Sequence, residues 1–337
     1  MIDQTAALEN LGWSDFFQSQ LEPHDIASVP MRISKVHRAR LVAISPAGSV
    51  NLVLSAQANT AEFAVGDWVL VHPEDQSVQR LLVRRTLISR QRGESGANQL
   101  AAANVDTLFI VTSCNADFNS ARLERYLAMA NESGADPVII LTKADTVADA
   151  RKYEQQAALL QRELPVVVLD ARSSDCVAAL VKWCGPGQTV ALVGSSGVGK
   201  STLVNALIGG GSPQQTGDIR EHDGKGRHTT TSRSLHSIEG GGWVIDTPGI
   251  RTLNVSDVSH GIDMLFAEIT ELAPLCRFRN CTHSHEPGCA VQAAVSAGTI
   301  DPERLTRWRK LQLENSANTP GPSQSRGGSA KPNRKNR

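Results

Sequence analysis

Gly194-Ser-Ser-Gly-Val-Gly199-Lys200-Ser201-Thr202 constrains this chain more than any other segment. It follows the apolar run Thr189 to Val193 and precedes Leu203-Val-Asn-Ala-Leu207. A strand, a glycine-rich loop and a helix in that order form a phosphate-binding loop, which requires a parallel α/β sheet around it. The glycines let backbone N–H groups converge on a β-phosphate at the helix N-terminus. In that geometry Lys200 reaches the β and γ oxygens and Ser201 offers its hydroxyl to Mg²⁺. Gly194, Ser195, Ser196, Gly197, Val198, Gly199, Lys200, Ser201 and Thr202 are the candidate contacts.

The surrounding rhythm agrees. Val105 to Val111, Pro137 to Leu141, Pro165 to Leu169 and Thr189 to Val193 are apolar runs suited to strands buried on both faces. Ser120 to Asn131, Val147 to Gln161 and Cys176 to Trp183 have helical spacing between them, so a doubly wound sheet is expected. Ser234 to Ile238 and Trp243 to Asp246 read as two further strands, after a polar stretch at 212–233 that reads as a mobile loop. Ile262 to Leu272 and Pro302 to Leu313 read as helices.

Two more motifs belong with the phosphate loop. Asp246-Thr-Pro-Gly249 ends a strand, where an acid can approach Mg²⁺ and the Gly249 N–H can meet a γ-phosphate. Thr142-Lys143-Ala144-Asp145 follows an apolar strand, and the Asp145 carboxylate can accept both N1–H and the 2-amino group of guanine while the Lys143 stem packs along the base. The bland alternative is that Asp145 caps the next helix. An ATPase or small-molecule kinase is disfavoured by the same tetrapeptide. In ordinary GTPases the base motif comes last, yet here it precedes the phosphate loop. Circular permutation closes the same site, since the termini of compact domains often lie close together.

Composition sets the remaining bounds. The 337 residues carry 34 Lys+Arg and 34 Asp+Glu, so the net charge is zero. The charge is nevertheless segregated: residues 31–92 hold nine Lys/Arg against four acids, and five basics with no acid follow Glu314. The basics of the first segment read either as a solvated face or, with Arg84-Arg85 adjacent and Arg90 and Arg92 beyond, as phosphate contacts. Four or five short strands at Arg40–Ile44, Val50–Leu54, Asp67–Val71 and Gln79–Val83 suggest a small barrel there, of OB or SH3-like type. Phe63 and Trp68 are its only aromatics, so folded RNA suits it better than a stacked single strand. Residues 1–30 read as an arm without its own core. No run approaches the roughly 20 apolar residues of a membrane span, and Met1 to Gln20 lacks a basic signal region. Cys276, Cys281 and Cys289, with His283 or His285 between them, supply a closed tetrahedral set typical of structural zinc, against the alternative of reduced thiols packed in a loop. Cys114, Cys176 and Cys184 stand alone in apolar elements and read as core.

Taken in order, the segments Gly66-Asp-Trp-Val69, Ala102-Ala-Asn-Val-Asp106, Thr142 to Asp145, Gly194 to Thr202, Gly226-Arg-His-Thr-Thr-Thr231, Asp246 to Gly249 and the cysteine cluster resemble the RsgA (YjeQ) family of circularly permuted, small-ribosomal-subunit-dependent GTPases. The resemblance runs from about Met31 to Leu313. It implies an N-terminal OB-type RNA-binding barrel (31–95) after the arm (1–30), a circularly permuted P-loop GTPase domain (100–255), a zinc-binding helical extension (256–314) and a basic disordered tail (315–337). It selects His283 as the fourth zinc ligand. It also makes His228 the candidate that positions the attacking water, because Ile250 stands where Ras-type GTPases carry Gln. Among Thr229, Thr230 and Thr231 one hydroxyl should complete Mg²⁺ coordination, and Thr230 is taken as the candidate. Leu169-Asp170-Ala171 departs from the family's usual fifth motif. The implied protein is a cytoplasmic monomer that hydrolyses GTP to GDP while assisting late maturation of the small subunit and contacting its rRNA. The alternative is a nucleotide-switched rRNA-binding module whose hydrolysis is incidental.

Overall fold

The computed structural model describes residues 4–55, 57–92, 97–173, 175–209, 233–246 and 257–319. The readings placed on His228, Thr229, Thr230, Thr231, Gly249, Ile250 and the tail beyond residue 319 lie outside them.

An arm with two short helices, α1 (Gln4–Glu9) and α2 (Asp15–Gln18), leads into five strands: β1 (Val29–Val36), β2 (Leu41–Ser45), β3 (Gly48–Leu52), β4 (Trp68–Val71) and β5 (Val78–Leu81). β1 pairs antiparallel with β2 and β4, β2 with β3, and β4 with β5. Val53, just past β3, bridges Ser77, just before β5, in parallel. The ring therefore closes in the order β1-β2-β3-β5-β4. Alternation drives the closure, because Met31, Ile33, Leu41, Ala43, Leu52, Val69 and Val71 turn into one core with Phe63.

The outer face of β1 and β4 is also covered. Trp68 and Leu70 pack with Leu11, Trp13 and Phe17 of the arm, and Trp13 meets Trp68 edge-on at 4.9 Å. The arm thus borrows its core from the barrel. Arg32 lies on this face at 1% exposure and donates to Leu11 O at 2.6 Å, Thr189 Oγ1 at 2.8 Å, Asn104 O at 3.3 Å and Gly66 O at 3.4 Å. Burial pulls its guanidinium down to about 10, so it remains charged at neutral pH.

A hairpin that the sequence reading did not anticipate follows, β6 (Leu87–Arg92) and β7 (Ala97–Ala103), paired from Leu87↔Ala103 to Arg92↔Ala97. Its Ala, Asn, Gln and Arg content gives little β signal. Ala101, Ala102 and Ala103 are fully buried, and Ala102 bridges Val65 of the barrel.

The remaining sheet strands are β8 (Thr107–Ser113), β9 (Asp136–Thr142), β10 (Val166–Val168), β11 (Thr189–Val193), β12 (Ser234–Ser237) and β13 (Trp243–Asp246), with helices α3 (Ser120–Ser133), α4 (Arg151–Ala158), α5 (Cys176–Leu180) and α6 (Lys200–Ile208) between them. Their spatial order is β10-β9-β8-β11-β13-β12. All neighbours are parallel except β12, which runs antiparallel to β13. Leu108 and Ile110 of β8 join one core with Leu123 and Leu127 of α3, while Phe109 and Val111 join another with Leu203, Val204 and Leu207 of α6. Period-two alternation thus feeds two helical layers, as the doubly wound reading requires. The strand sequence runs from β8 out to β10 and then resumes at β11 on the other side of β8. That makes β8/β11 the topological switch point, where ligands of such sheets bind beyond the strand C-termini. β12 also meets β1 at Lys35↔Ser234, which joins the sheet to the barrel.

The carboxyl-terminal part carries α7 (Ser259–Leu265), α8 (Ala267–Thr270), α9 (Ala290–Ser296) and α10 (Pro302–Asn318). The single helix expected over Ile262 to Leu272 is broken at Phe266, whose backbone leaves the helical region. α10 extends past Leu313 because Asn315 is buried, accepts from Val258 N and donates to Ser259 Oγ at 3.0 Å. Gly261 lets α7 approach α3 closely, since a Cβ there would sit 2.0 Å from Ala128 O. Glu124 of α3 is buried against Arg304 at 3.3 Å and Arg307 at 2.9 Å, and burial pushes its carboxyl above the ordinary range despite those cations.

Candidate nucleotide site and metal centre

At the switch point, Gly194 leaves β11 with φ +140°, and a Cβ there would fall 2.1 Å from Val111 O of β8. Only glycine fits that approach. The loop then turns into α6, whose first residue is Lys200. Its ammonium donates to Gly194 O at 2.7 Å and to Ser195 O, while Ser196, Gly197 and Ser201 face solvent and Val198 is buried.

β9 ends beside this loop. Thr142 is buried, and its hydroxyl donates to Val198 O at 2.7 Å and lies 3.1 Å from Thr112 O. Lys143 takes a left-handed conformation, φ 56°, which starts a tight turn over Ala144–Thr146 that leaves Asp145 exposed. α4 begins only at Arg151, with Ala150 at its cap, so Asp145 does not cap that helix. Leu169 N donates to Leu141 O at 2.9 Å, which brings Asp170 and Ala171 to the same edge of the sheet. Asp246 ends β13 opposite Ser234. Thr142, the phosphate loop and Asp246 therefore share one edge although they are far apart in the chain.

The barrel's arginines turn out differently from the phosphate-contact reading. Arg84 holds the fully buried Asp67 through bonds of 2.7 and 2.8 Å, Arg85 holds Asp106, and Arg80 holds Asp25. Each of these arginines has a carboxylate partner, Arg84 mostly buried and Arg80 and Arg85 part-exposed, and the signal for that was Asp67 and Asp106 lying close by in a segment short of acids. Arg90 and Arg92 have no described side chains. Arg32 was missed because it alternates with Met31 and Ile33 and so reads as solvent-facing; only the arm and the second sheet bury it.

In the carboxyl-terminal part, Cys276, Cys281, His283 and Cys289 bring four ligand atoms within 4.8 Å of one another. Cys276 Sγ lies 3.5 Å from His283 Nδ1 and 3.8 Å from Cys289 Sγ, which is itself 3.4 Å from His283 Nδ1. Metal–sulfur bonds of about 2.3 Å and metal–nitrogen bonds of about 2.0 Å at tetrahedral angles give edges of about 3.8 and 3.5 Å, so the cluster fits a tetrahedral ion. Gln292 N donates to Cys289 Sγ at 3.4 Å at the start of α9. Burial holds the His283 imidazole below its ordinary value, which keeps it neutral and able to ligate. Gln292 and Arg309 both hold the His283 carbonyl, and Trp308 packs on its ring. Cys114, Cys176 and Cys184 are buried as expected, and burial pushes the Cys184 thiol up to about 12.

A doubly wound sheet with a phosphate loop at its switch point, and the base-reading tetrapeptide earlier in the chain on the same edge, defines a circularly permuted P-loop GTPase. Residues 81–256 match the family model described as RsgA GTPase. The chain is 67% identical over 323 residues to the small ribosomal subunit biogenesis GTPase RsgA of Mesorhizobium japonicum, covering 95% of this chain and 93% of that protein. It is 45% identical over 320 residues to a Vibrio parahaemolyticus protein named small ribosomal subunit biogenesis GTPase RsgA 2. Among solved structures, YjeQ from Thermotoga maritima superposes with a TM-score of 0.63 at 23% identity, covering 85% of this chain and 98% of that one. The chain belongs to the RsgA GTPase family.

Proposed function

We propose that this protein hydrolyses GTP to GDP and phosphate on the small ribosomal subunit and assists that subunit's late maturation in the cytoplasm, acting as a monomer. The observation that carries the reading is the Thr142 hydroxyl bonded to Val198 O, which ties the tetrapeptide to the phosphate loop and supports reading the two as one site. The names of the relatives support the ribosomal part. No described helix is long and apolar enough to cross a membrane.

Asp145 selects guanine, and Lys143 packs on the base. The N–H groups of Gly194 to Gly199 and of Lys200, Ser201 and Thr202 surround the phosphates, and a phosphate oxygen competes with the loop carbonyls for the Lys200 ammonium. Ser201, Thr230 and Asp246 would hold Mg²⁺, which neutralises charge on the β and γ oxygens. Gly249 meets the γ-phosphate and His228 orients water. Cys276, Cys281, His283 and Cys289 would hold one structural zinc; all four positions are protein ligands, so this site binds no substrate. The barrel, which we read as OB-type, contacts rRNA. The deciding experiment measures GTP turnover alone and with purified small subunits, large subunits or free rRNA. Selective acceleration by small subunits is expected, and equal rates in all four conditions would remove the ribosomal reading.

A further inference from the structure

We propose that the loop between Cys276 and Cys281 is an RNA-contact element, in which Phe278 stacks on an unpaired rRNA base while Arg277 and Arg279 pair with flanking phosphates. This rests on the ribosomal reading above and adds where on the chain an rRNA base is gripped.

The loop presents an exposed aromatic between two exposed arginines. Phe278 is 41% exposed and Leu275 is 70% exposed, whereas the barrel's two aromatics, Phe63 and Trp68, are buried at 8% and 1%. Arg277 and Arg279 are exposed and form no ion pair with any described residue, in contrast to Arg80, Arg84 and Arg85. No acid lies between Leu275 and Cys281. The nearest acids along the chain are already engaged. Glu271 pairs with Arg162, and Glu286 accepts from Thr282 N, Thr282 Oγ1, Ser284 N and His285 N. The loop itself thus carries two cations and no acid, which suits a polyanion.

The backbone is fixed before any partner arrives. Arg277 N donates to Gly288 O at 3.0 Å, and Cys281 N closes a turn on Phe278 O at 3.2 Å. A metal ligand stands at each end, so little chain entropy remains to be lost on binding. The Arg277 guanidinium lies over the Phe278 ring, 5.5 Å from its centre, so a cation already sits against one side of an exposed aromatic. An exposed aromatic between two exposed arginines in the chain suits a base with its phosphates. Stacking needs an open base face, so the partner is a loop or bulge nucleotide and not a paired helix.

The test measures the affinity of full-length protein, bound to a non-hydrolysable GTP analogue, for purified small subunits across a salt series. Phe278→Ala and Phe278→Leu should both weaken binding, by about fivefold to 100-fold, while Phe278→Trp keeps it. The double variant Arg277→Gln, Arg279→Gln should flatten the slope of log affinity against log salt by roughly 1.4 to 1.8. Metal content and hydrolysis without subunits should match the unmodified protein, which separates a lost contact from a collapsed loop. Wild-type affinity in Phe278→Ala would overturn the proposal, and so would full binding by Phe278→Leu, because an apolar protein contact tolerates leucine. Cross-links from position 278 to a ribosomal protein in place of rRNA would also overturn it. Unmodified protein that ignores small subunits would overturn the ribosomal reading and this inference together.

Discussion

Asp145 differs from Asn by a single acceptor, yet that acceptor decides which base fits. Asp145→Asn places a donor where guanine presents its own, so GTP binding should weaken and xanthosine nucleotides, with a 2-oxo group, should bind better. Competition between the two nucleotides for both proteins measures this, and unchanged GTP affinity would remove the guanine assignment. Thr142 acts through geometry. Thr142→Val leaves the Val198 carbonyl unpaired within the loop, which costs roughly 1–3 kcal/mol. Denaturant unfolding and nucleotide titration should both register the loss. His228→Ala should keep GTP affinity and lose most small-subunit-stimulated turnover, by roughly 100-fold, because the imidazole is asked to act on water and not on the bound nucleotide. Full stimulation of that variant would move the role elsewhere. The glycine-rich loop and the Cys/His cluster were legible at this scale because backbone approach and coordination each demand fixed residue types at fixed spacing. The partners of Arg84 and Arg85 were not, because adjacent arginines look the same whether they meet phosphate or a buried carboxylate.

At the scale of elements, α3 and α10 meet through charge buried on both sides. Glu124 is nearly inaccessible and faces Arg304 and Arg307; in Glu124→Ala, Arg304 keeps Glu268 and the Leu265 carbonyl while Arg307 is left with Glu303 alone, so the change should cost roughly 1–3 kcal/mol, read as a lower denaturant midpoint. On β12, burial holds the His236 imidazole below its ordinary value, although Asp246 opposes the shift and Lys35 assists it. Its neutral ring meets Ser234 Oγ at 2.7 Å. As pH falls through about 6.5 the unfolded chain takes up a proton that the native ring resists, so stability present above that pH is lost below it. Thermal unfolding at pH 7.5 and 5.5 should show a larger drop for the unmodified protein than for His236→Gln. The central strands β8, β9 and β11 were readable from sequence because strands buried on both faces must be near-continuously apolar. The β6–β7 hairpin was hidden because alanines become strand residues here only under the pressure of the barrel above them.

For the whole molecule, stripping the metal should unfold the segment from Cys276 to Cys289 and impair small-subunit binding while nucleotide binding persists, since the phosphate loop belongs to a different core. Elemental analysis together with circular dichroism checks this, and a metal-free protein with its carboxyl-terminal helices intact would refute it. The layering of the GTPase sheet could be read from periodicity, but its attachment to the barrel could not, because no local pattern announces that β1 borders β12. That border gives the molecule a mechanical continuity. Asp246 ends β13, β13 is bonded to β12, β12 meets β1, and Arg32 of β1 grips Thr189 at the root of the phosphate-loop strand. Barrel and nucleotide edge are thus joined by hydrogen bonds across strands and not by a tether alone, so a displacement of the barrel is carried to the phosphate-loop strand through bonded neighbours.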